Sequence, residues 1–343
     1  MNRYTKIHDF HASRATGVGS SDIPVLAGLY KRYGSTPLSL WESKTGKTPP
    51  WEGNERTYWG RNLEGLILRE FIKRRHGEDE SEEYLTYKRR GRSRAPYYTE
   101  TEARAEGRPY CLAHADLVID DGEEPPYLVE AKSSGFYAGK RREGRAFEGY
   151  DPDDLSAQGI PDAVYLQVQW QLYCYGVNSA YVAVLIDTAD YREYGPIAAD
   201  ARVQEKCLAL AERFWRLVRD RTPPAPETWD DVQRLFPTME PTTAMVAGEA
   251  EVRAKEMIER DKVLAARIKE IEEERADIKN AIGVLIGGNA VLASASGDIL
   301  ARAHETTRET LSLAKIAKEA PEIAATLRER ELISKSEFRQ VRF

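Results

Sequence analysis

The chain has 343 residues, which at ~150 residues per domain leaves room for two domains, one of them large enough to bury its own core. Its 41% hydrophobic and 31% charged residues exclude wholesale disorder, and 50 Lys and Arg against 56 Asp and Glu, a net charge of −6, exclude a generally basic nucleic-acid binder, so any phosphate contact has to be local. No run approaches the ~18 apolar residues of a membrane helix, and the opening MNRYTKIHDFHASRATG has no apolar signal block, so the expectation is a cytoplasmic protein without a membrane partner.

Residues 1–221 predict one α/β unit, because amphipathic stretches alternate with short runs rich in Val, Ile and Tyr. Thr36-Pro37 opens a helix through Trp41, and Tyr58 to about His76 reads as a longer one carrying Leu63, Leu66, Ile67 and Phe71. Strands over 110–119 and 127–133 flank the turn-rich DGEEPP, and a helix from Pro161 to Tyr175, a strand over 180–187 and a helix over 199–219 follow. The segment TPPAPETWDDVQRLFPTMEP holds Pro223, Pro224, Pro226, Pro237 and Pro241, which places a linker over 222–244. In the remaining region, 245–343, Met257, Leu264, Ile271, Ile278 and Leu285 recur every seven residues, with Ile268 and Ile282 in the same stripe. That predicts a long amphipathic helix whose stripe serves either an intrachain hairpin or a subunit contact. Gly287-Gly288 end it, a two-stranded hairpin turns at Ser296-Gly297-Asp298, and a short helix with Ile316, Ala317, Ile323 and Leu327 precedes SEFRQVRF. Lys315, Lys318, Arg328, Arg330, Lys335, Arg339 and Arg342 make this tail basic enough for a contact with DNA or a protein partner.

The chemistry-bearing pattern is Asp116 followed by Glu130-Ala131-Lys132. Residues i and i+2 of a strand share a face, so Glu130 and Lys132 project together, and an antiparallel neighbour brings Asp116 beside them. Two close carboxylates suit a hard cation, Mg²⁺ or Mn²⁺, and a lysine beside them supplies charge for phosphodiester hydrolysis. The apolar run Tyr127, Leu128, Val129 and Ala131 sets this strand apart from one whose charges simply face water. Cys111, Cys174 and Cys207 are too scattered for a disulfide framework or a cysteine metal cluster. Two basic clusters, Lys88, Arg89, Arg90, Arg92 and Arg94, and Lys140, Arg141, Arg142 and Arg145, are candidate DNA contacts or plain solvated loops.

Beyond these residues, the segments Gly17 to Ile23 (GVGSSDI), Trp41 to Gly46 (WESKTG), Trp59-Gly60 through Glu64, Asp116, Glu130-Ala131-Lys132 and Gln167 to Leu172 (QVQWQL) stand in the order seen in YqaJ-like viral recombinases. Over about residues 12–190 the chain resembles that family, which is related to phage lambda exonuclease within the PD-(D/E)xK nucleases. The resemblance implies a restriction-endonuclease-like core, a central mixed β-sheet flanked by helices, followed here by the long helix and a small α+β tail. It implies Asp116 and Glu130 as ligands of Mg²⁺ or Mn²⁺, with Glu64 and the backbone carbonyl of Ala131, Lys132 as catalytic lysine and Gln167 in the active site. It further implies a terminal 5′-phosphate site at Arg14 and Ser21, with Ser20 alongside, for which a Ser/Asp helix cap and an exposed arginine are the plain alternative. Leu117 replaces the glycine that commonly follows the aspartate, Glu106 is a weak candidate for a second metal, and His114 is a ligand or a structural residue.

The function so implied is a 5′-to-3′ exonuclease on double-stranded DNA ends, phage- or prophage-encoded, with a single-strand annealing protein as partner and a homotrimer as assembly. An endonuclease with the same core and a non-cleaving DNA-binding or assembly protein are the rival readings.

Overall fold

The computed structural model describes residues 5–6, 10–49, 53–89, 96–134, 159–187, 189–238, 242–305 and 312–330. They fall into two compact units, Met1–Pro237 and Thr238–Phe343.

The first unit is built on one six-stranded mixed sheet in sequential order: β1 (Thr5–Lys6), β2 (Tyr97–Ala105), β3 (Arg108–Ile119), β4 (Tyr127–Ser134), β5 (Ser179–Ile186) and β6 (Asp190–Ala198). All neighbours are antiparallel except β4 and β5, which run parallel. A parallel pair needs a crossover, and here it carries the helix Asp162–Tyr175. Before β2 come α1 (Phe10–Ala15), α2 (Ile23–Leu26), α3 (Pro37–Lys44), α4 (Glu55–His76) and α5 (Glu78–Arg89); the crossover helix is α6, and α7 (Ala201–Arg219) and α8 (Trp229–Leu235) follow β6.

Local chemistry fixes the helix starts. Thr36 and Ser39 form a capping box at α3, with Pro37 in the first turn, and Asn54 and Thr57 form another at α4. Asp200 accepts the N–H groups of Arg202 and Val203 at α7. One sheet face buries Val118, Leu128, Val182 and Val184 against Val168, Trp170 and Leu172 of α6 and Phe214 of α7. The other face buries Leu117, Ile119, Val129 and Ala183 under Ile67, Leu68, Phe71 and Ile72 of α4 and Tyr84 of α5. On β3, Ala115 lies in the first core and Leu117 in the second. Leu117 thus fills the second core.

Several elements of this unit, among them β1, α1, α5, β2 and β6, lie outside the elements predicted from sequence. The linker expected over 222–244 is interrupted by α8, where Thr228 and Asp231 form a capping box. Asp231 is buried and accepts from the Thr36 hydroxyl at 2.7 Å, which ties the start of α8 to the start of α3. The prolines only flank this helix, so they do not prevent it.

The second unit holds α9 (Glu249–Ile286, 38 residues), the hairpin β7 (Val291–Ala293) and β8 (Ile299–Arg302), then α10 (Leu313–Glu319) and α11 (Pro321–Glu329). Pro321 in a first turn makes two short helices of the single one expected. Among the described residues of this unit, Ile286 and Ala324 are the buried hydrophobics. No helix among the described residues is long and apolar enough to cross a membrane.

Candidate active site

The hydrogen-bonded pairing of β3 with β4 ends at Leu117 opposite Val129. Where the strands part, the Ala131 N–H donates to Asp116 Oδ2 at 2.8 Å, so a carboxylate takes the amide. Glu130, 3% exposed, accepts at both oxygens. Its Oε1 receives Lys132 Nζ at 2.5 Å and Gln167 Nε2 at 2.5 Å, and its Oε2 receives Gln171 Nε2 at 2.6 Å. Lys132 Nζ also donates to Gln167 Oε1 at 3.1 Å. Four side chains from β4 and α6 thus make one polar network.

The electrostatics follow from this crowding. Burial, and then the negative charges of Glu130 and Glu64, push the Asp116 carboxyl well above the ordinary carboxylate range, against the opposing Lys132 charge and Ala131 N–H. Burial pulls Lys132 down, but Glu130 and Asp116 outweigh it and hold its ammonium above the ordinary lysine value. Fully ionised, Asp116, Glu130 and Glu64 would set three negative charges against one lysine, and the raised Asp116 carboxyl reflects the cost of that excess. That excess and the all-oxygen donors Asp116 and Glu130 fit a hard divalent cation. Glu64, on α4, contributes field rather than a completed ligand set: among the described residues, no three His, Cys, Asp or Glu side chains are grouped to hold one ion.

A second charged cluster forms around Asp22, 1% exposed. Its Oδ2 accepts the Gly19 N–H at 2.8 Å and Lys44 Nζ at 2.6 Å, and its Oδ1 accepts Arg14 Nη2 at 2.8 Å. Arg14 Nη2 also donates to Ser21 Oγ at 3.0 Å, and Ser20 is buried beside them. Asp22 does not cap α2 with its side chain. Burial alone would raise Asp22, but Lys44, Arg14 and the Gly19 N–H hold it below the ordinary range. Lys44 has a single carboxylate to set against burial and lies below the ordinary lysine value. Two cations to one carboxylate leave the cluster locally positive. Gly17 makes the approach possible: Val18 N–H donates to the Tyr110 carbonyl at 2.7 Å, and a Cβ on Gly17 would run into that carbonyl oxygen.

Residues 9–178 match the sequence model of the YqaJ-like viral recombinase domain. The chain carries a YqaJ-like viral recombinase domain. No curated protein matches the chain. Two solved structures are similar to it: an alkaline exonuclease, LHK-Exo, from Laribacter hongkongensis, 15% identical, with 62% of this chain and 92% of that chain covered at a TM-score of 0.43, and a phage related exonuclease from Haemophilus somnus 129PT, 12% identical, with 60% and 96% covered at a TM-score of 0.36.

Within the YqaJ-like domain the structure brings Asp116, Glu130, Ala131, Lys132 and Gln167 together, and separately Arg14, Ser20 and Ser21. Gln171 was not singled out from sequence, yet it joins Glu130 to the His114 carbonyl at 3.0 Å. Its signal is the i,i+4 spacing from Gln167, which puts both amides on one helix face. Asp22 and Lys44 lie inside the GVGSSDI and WESKTG segments, but their pairing with each other spans 22 residues and no local spacing announces it. Gln169 is buried and joins the Ala198 carbonyl to the Asp200 N–H. His114 turns its ring to Glu102 at 3.1 Å. Glu106 sits exposed in the β2–β3 turn, about 25 Å from Asp116 along β3 at ~3.3 Å per residue, too far for a second metal there. Arg89 ends α5 rather than lying in a loop, while Arg90, Arg141 and Arg142 fall outside the described residues.

Proposed function

We propose that this protein is a metal-dependent deoxyribonuclease that digests double-stranded DNA from its ends in the 5′-to-3′ direction, leaving single-stranded tails for phage-type homologous recombination. The observation that carries this reading is the Asp116, Glu130 and Lys132 centre, where two carboxyl groups and a lysine meet beside one main-chain amide and two glutamines. The family match supports the same class of activity.

Asp116 and Glu130, with the Ala131 carbonyl, would hold Mg²⁺ or Mn²⁺, which when bound supplies charge for the phosphate and an acidified water. Lys132 places a second positive charge at Glu130, suited to the charge that develops on phosphorus. Gln167 and Gln171 fix the Glu130 carboxylate, so its orientation does not depend on solvent. The Arg14, Lys44 and Ser21 cluster is the chain's anion site for a 5′-terminal phosphate, with the Arg14 fork as its main donor. A ring of three subunits and an annealing protein receiving the tails accompany this reading by family relation.

The test is incubation of the full chain with linear duplex bearing 5′ phosphates, beside a closed circle of the same sequence, with Mg²⁺, with chelator and with Lys132→Ala. Loss of the linear form alone, abolished by chelator and slowed about 10²–10⁴-fold in the variant, is expected. Cutting of the circle would make the protein an endonuclease, and no cutting with either metal would leave it a DNA-binding or assembly protein. Arg14→Ala should narrow the preference for 5′-phosphate over 5′-hydroxyl ends.

A further inference from the structure

Helix α9 runs for 38 residues, about 57 Å at ~1.5 Å per residue. Every residue from Asp261 to Leu285 is exposed within the second unit, including Leu264, Ile268, Ile271, Ile278, Ile282 and Leu285. An apolar seam of this length on a helix without a core beneath it needs a partner surface.

The spacing and charges of the seam identify that surface. Met257, Leu264, Ile271, Ile278 and Leu285 occupy one heptad position, and Ala254, Asp261, Ile268, Arg275 and Ile282 occupy the position four residues on from it. A parallel, in-register pair would stack Asp261 on Asp261 and Arg275 on Arg275 inside the seam. An antiparallel pair centred on Ile268 opposite Ile271 removes both conflicts. In that register Ala254 meets Leu285, Met257 meets Ile282 and Ile268 meets Ile271, while Asp261 meets Ile278 and Leu264 meets Arg275, so six of the ten layers are wholly apolar and no layer holds two like charges. Asp261 then lies one layer from the Arg275 of the other copy, and Arg267 faces the other copy's Glu274, each twice by symmetry.

We infer that α9 is a self-pairing helix, and that two copies of this chain join through it as an antiparallel coiled coil. This interface is independent of the proposed DNA chemistry and of the three-subunit ring named with it, so its loss halves the mass whether it joins two chains or two rings. Its symmetry is twofold, and it sets the starts of the two α9 helices about 60 Å apart.

Two measurements on the full chain decide it. The mass from sedimentation equilibrium should halve in Ile268→Asp/Ile271→Asp, with the cooperative unfolding of the first unit unchanged as a check on folding. Under mild oxidation Leu264→Cys alone should not cross-link, whereas Leu264→Cys/Arg275→Cys should, since the pairing sets residue 264 against 275 of the other copy. The native cysteines are buried and do not compete. An unchanged mass would mean that the seam is covered by another part of the chain or by a different protein, and cross-linking of Leu264→Cys by itself would mean a parallel pair. Either result overturns the inference.

Discussion

At the scale of single residues, Asp22 shows how a buried charge is kept. Removing it leaves Lys44, 4% exposed, without its carboxylate, and breaking a buried pair from one side costs about 3–5 kcal/mol. Because the folded carboxyl sits below its ordinary value, its stabilisation is present above about pH 4 and is lost as pH falls through the folded value. Urea unfolding should therefore place Asp22→Ala about 3–5 kcal/mol below the wild type at pH 7, with the gap narrowing near pH 3. A gap that stays constant across that range would assign the loss to packing instead. The same residue shows where sequence reading stops. Asp116, Glu130 and Lys132 are legible because strand periodicity is local, whereas Asp22 acquires its partners from Arg14 and Lys44 only once α1 and α3 converge.

Among the elements, α8 ties two parts of the first unit together with only seven residues. Its Asp231 satisfies the buried Thr36 hydroxyl, and Leu235 packs against the first core. A chain ending after Arg221 should be about 2–4 kcal/mol less stable than one ending after Pro237, measured by denaturant midpoint, since it removes the acceptor of the Thr36 hydroxyl and uncovers apolar surface. The elements absent from the sequence reading have physical reasons for being so. α5, EDESEEYLTYKR, is charged at seven of its twelve residues, with Tyr84 its one buried apolar side chain among the described ones. β2, YYTETEARA, mixes Thr with Glu and Arg because it carries polar groups towards α1. β6 contains Gly195-Pro196, tolerable because it is an edge strand. α4, α6, α7 and α9 were legible because burial or heptad spacing imposes a period on them.

For the molecule as a whole, the two units differ in what holds them. The first buries apolar side chains on both faces of its sheet, while the described part of the second buries Ile286 and Ala324. Calorimetry should show the main transition of the full chain within about 2–4 °C of that of a chain ending after Pro237, the shift that ~1 kcal/mol produces in a domain of this size. A larger drop would show that the tail stabilises the sheet unit. The parting of β3 from β4 has a wider bearing. Had the ladder run on past Leu117 and Val129, the Ala131 amide would face a backbone carbonyl and report only on the sheet. Because it rests on Asp116 instead, one main-chain proton senses the electrical state of the whole centre. Its chemical shift in a ¹⁵N spectrum is a built-in gauge that responds to protonation or to an arriving cation without any label at the site.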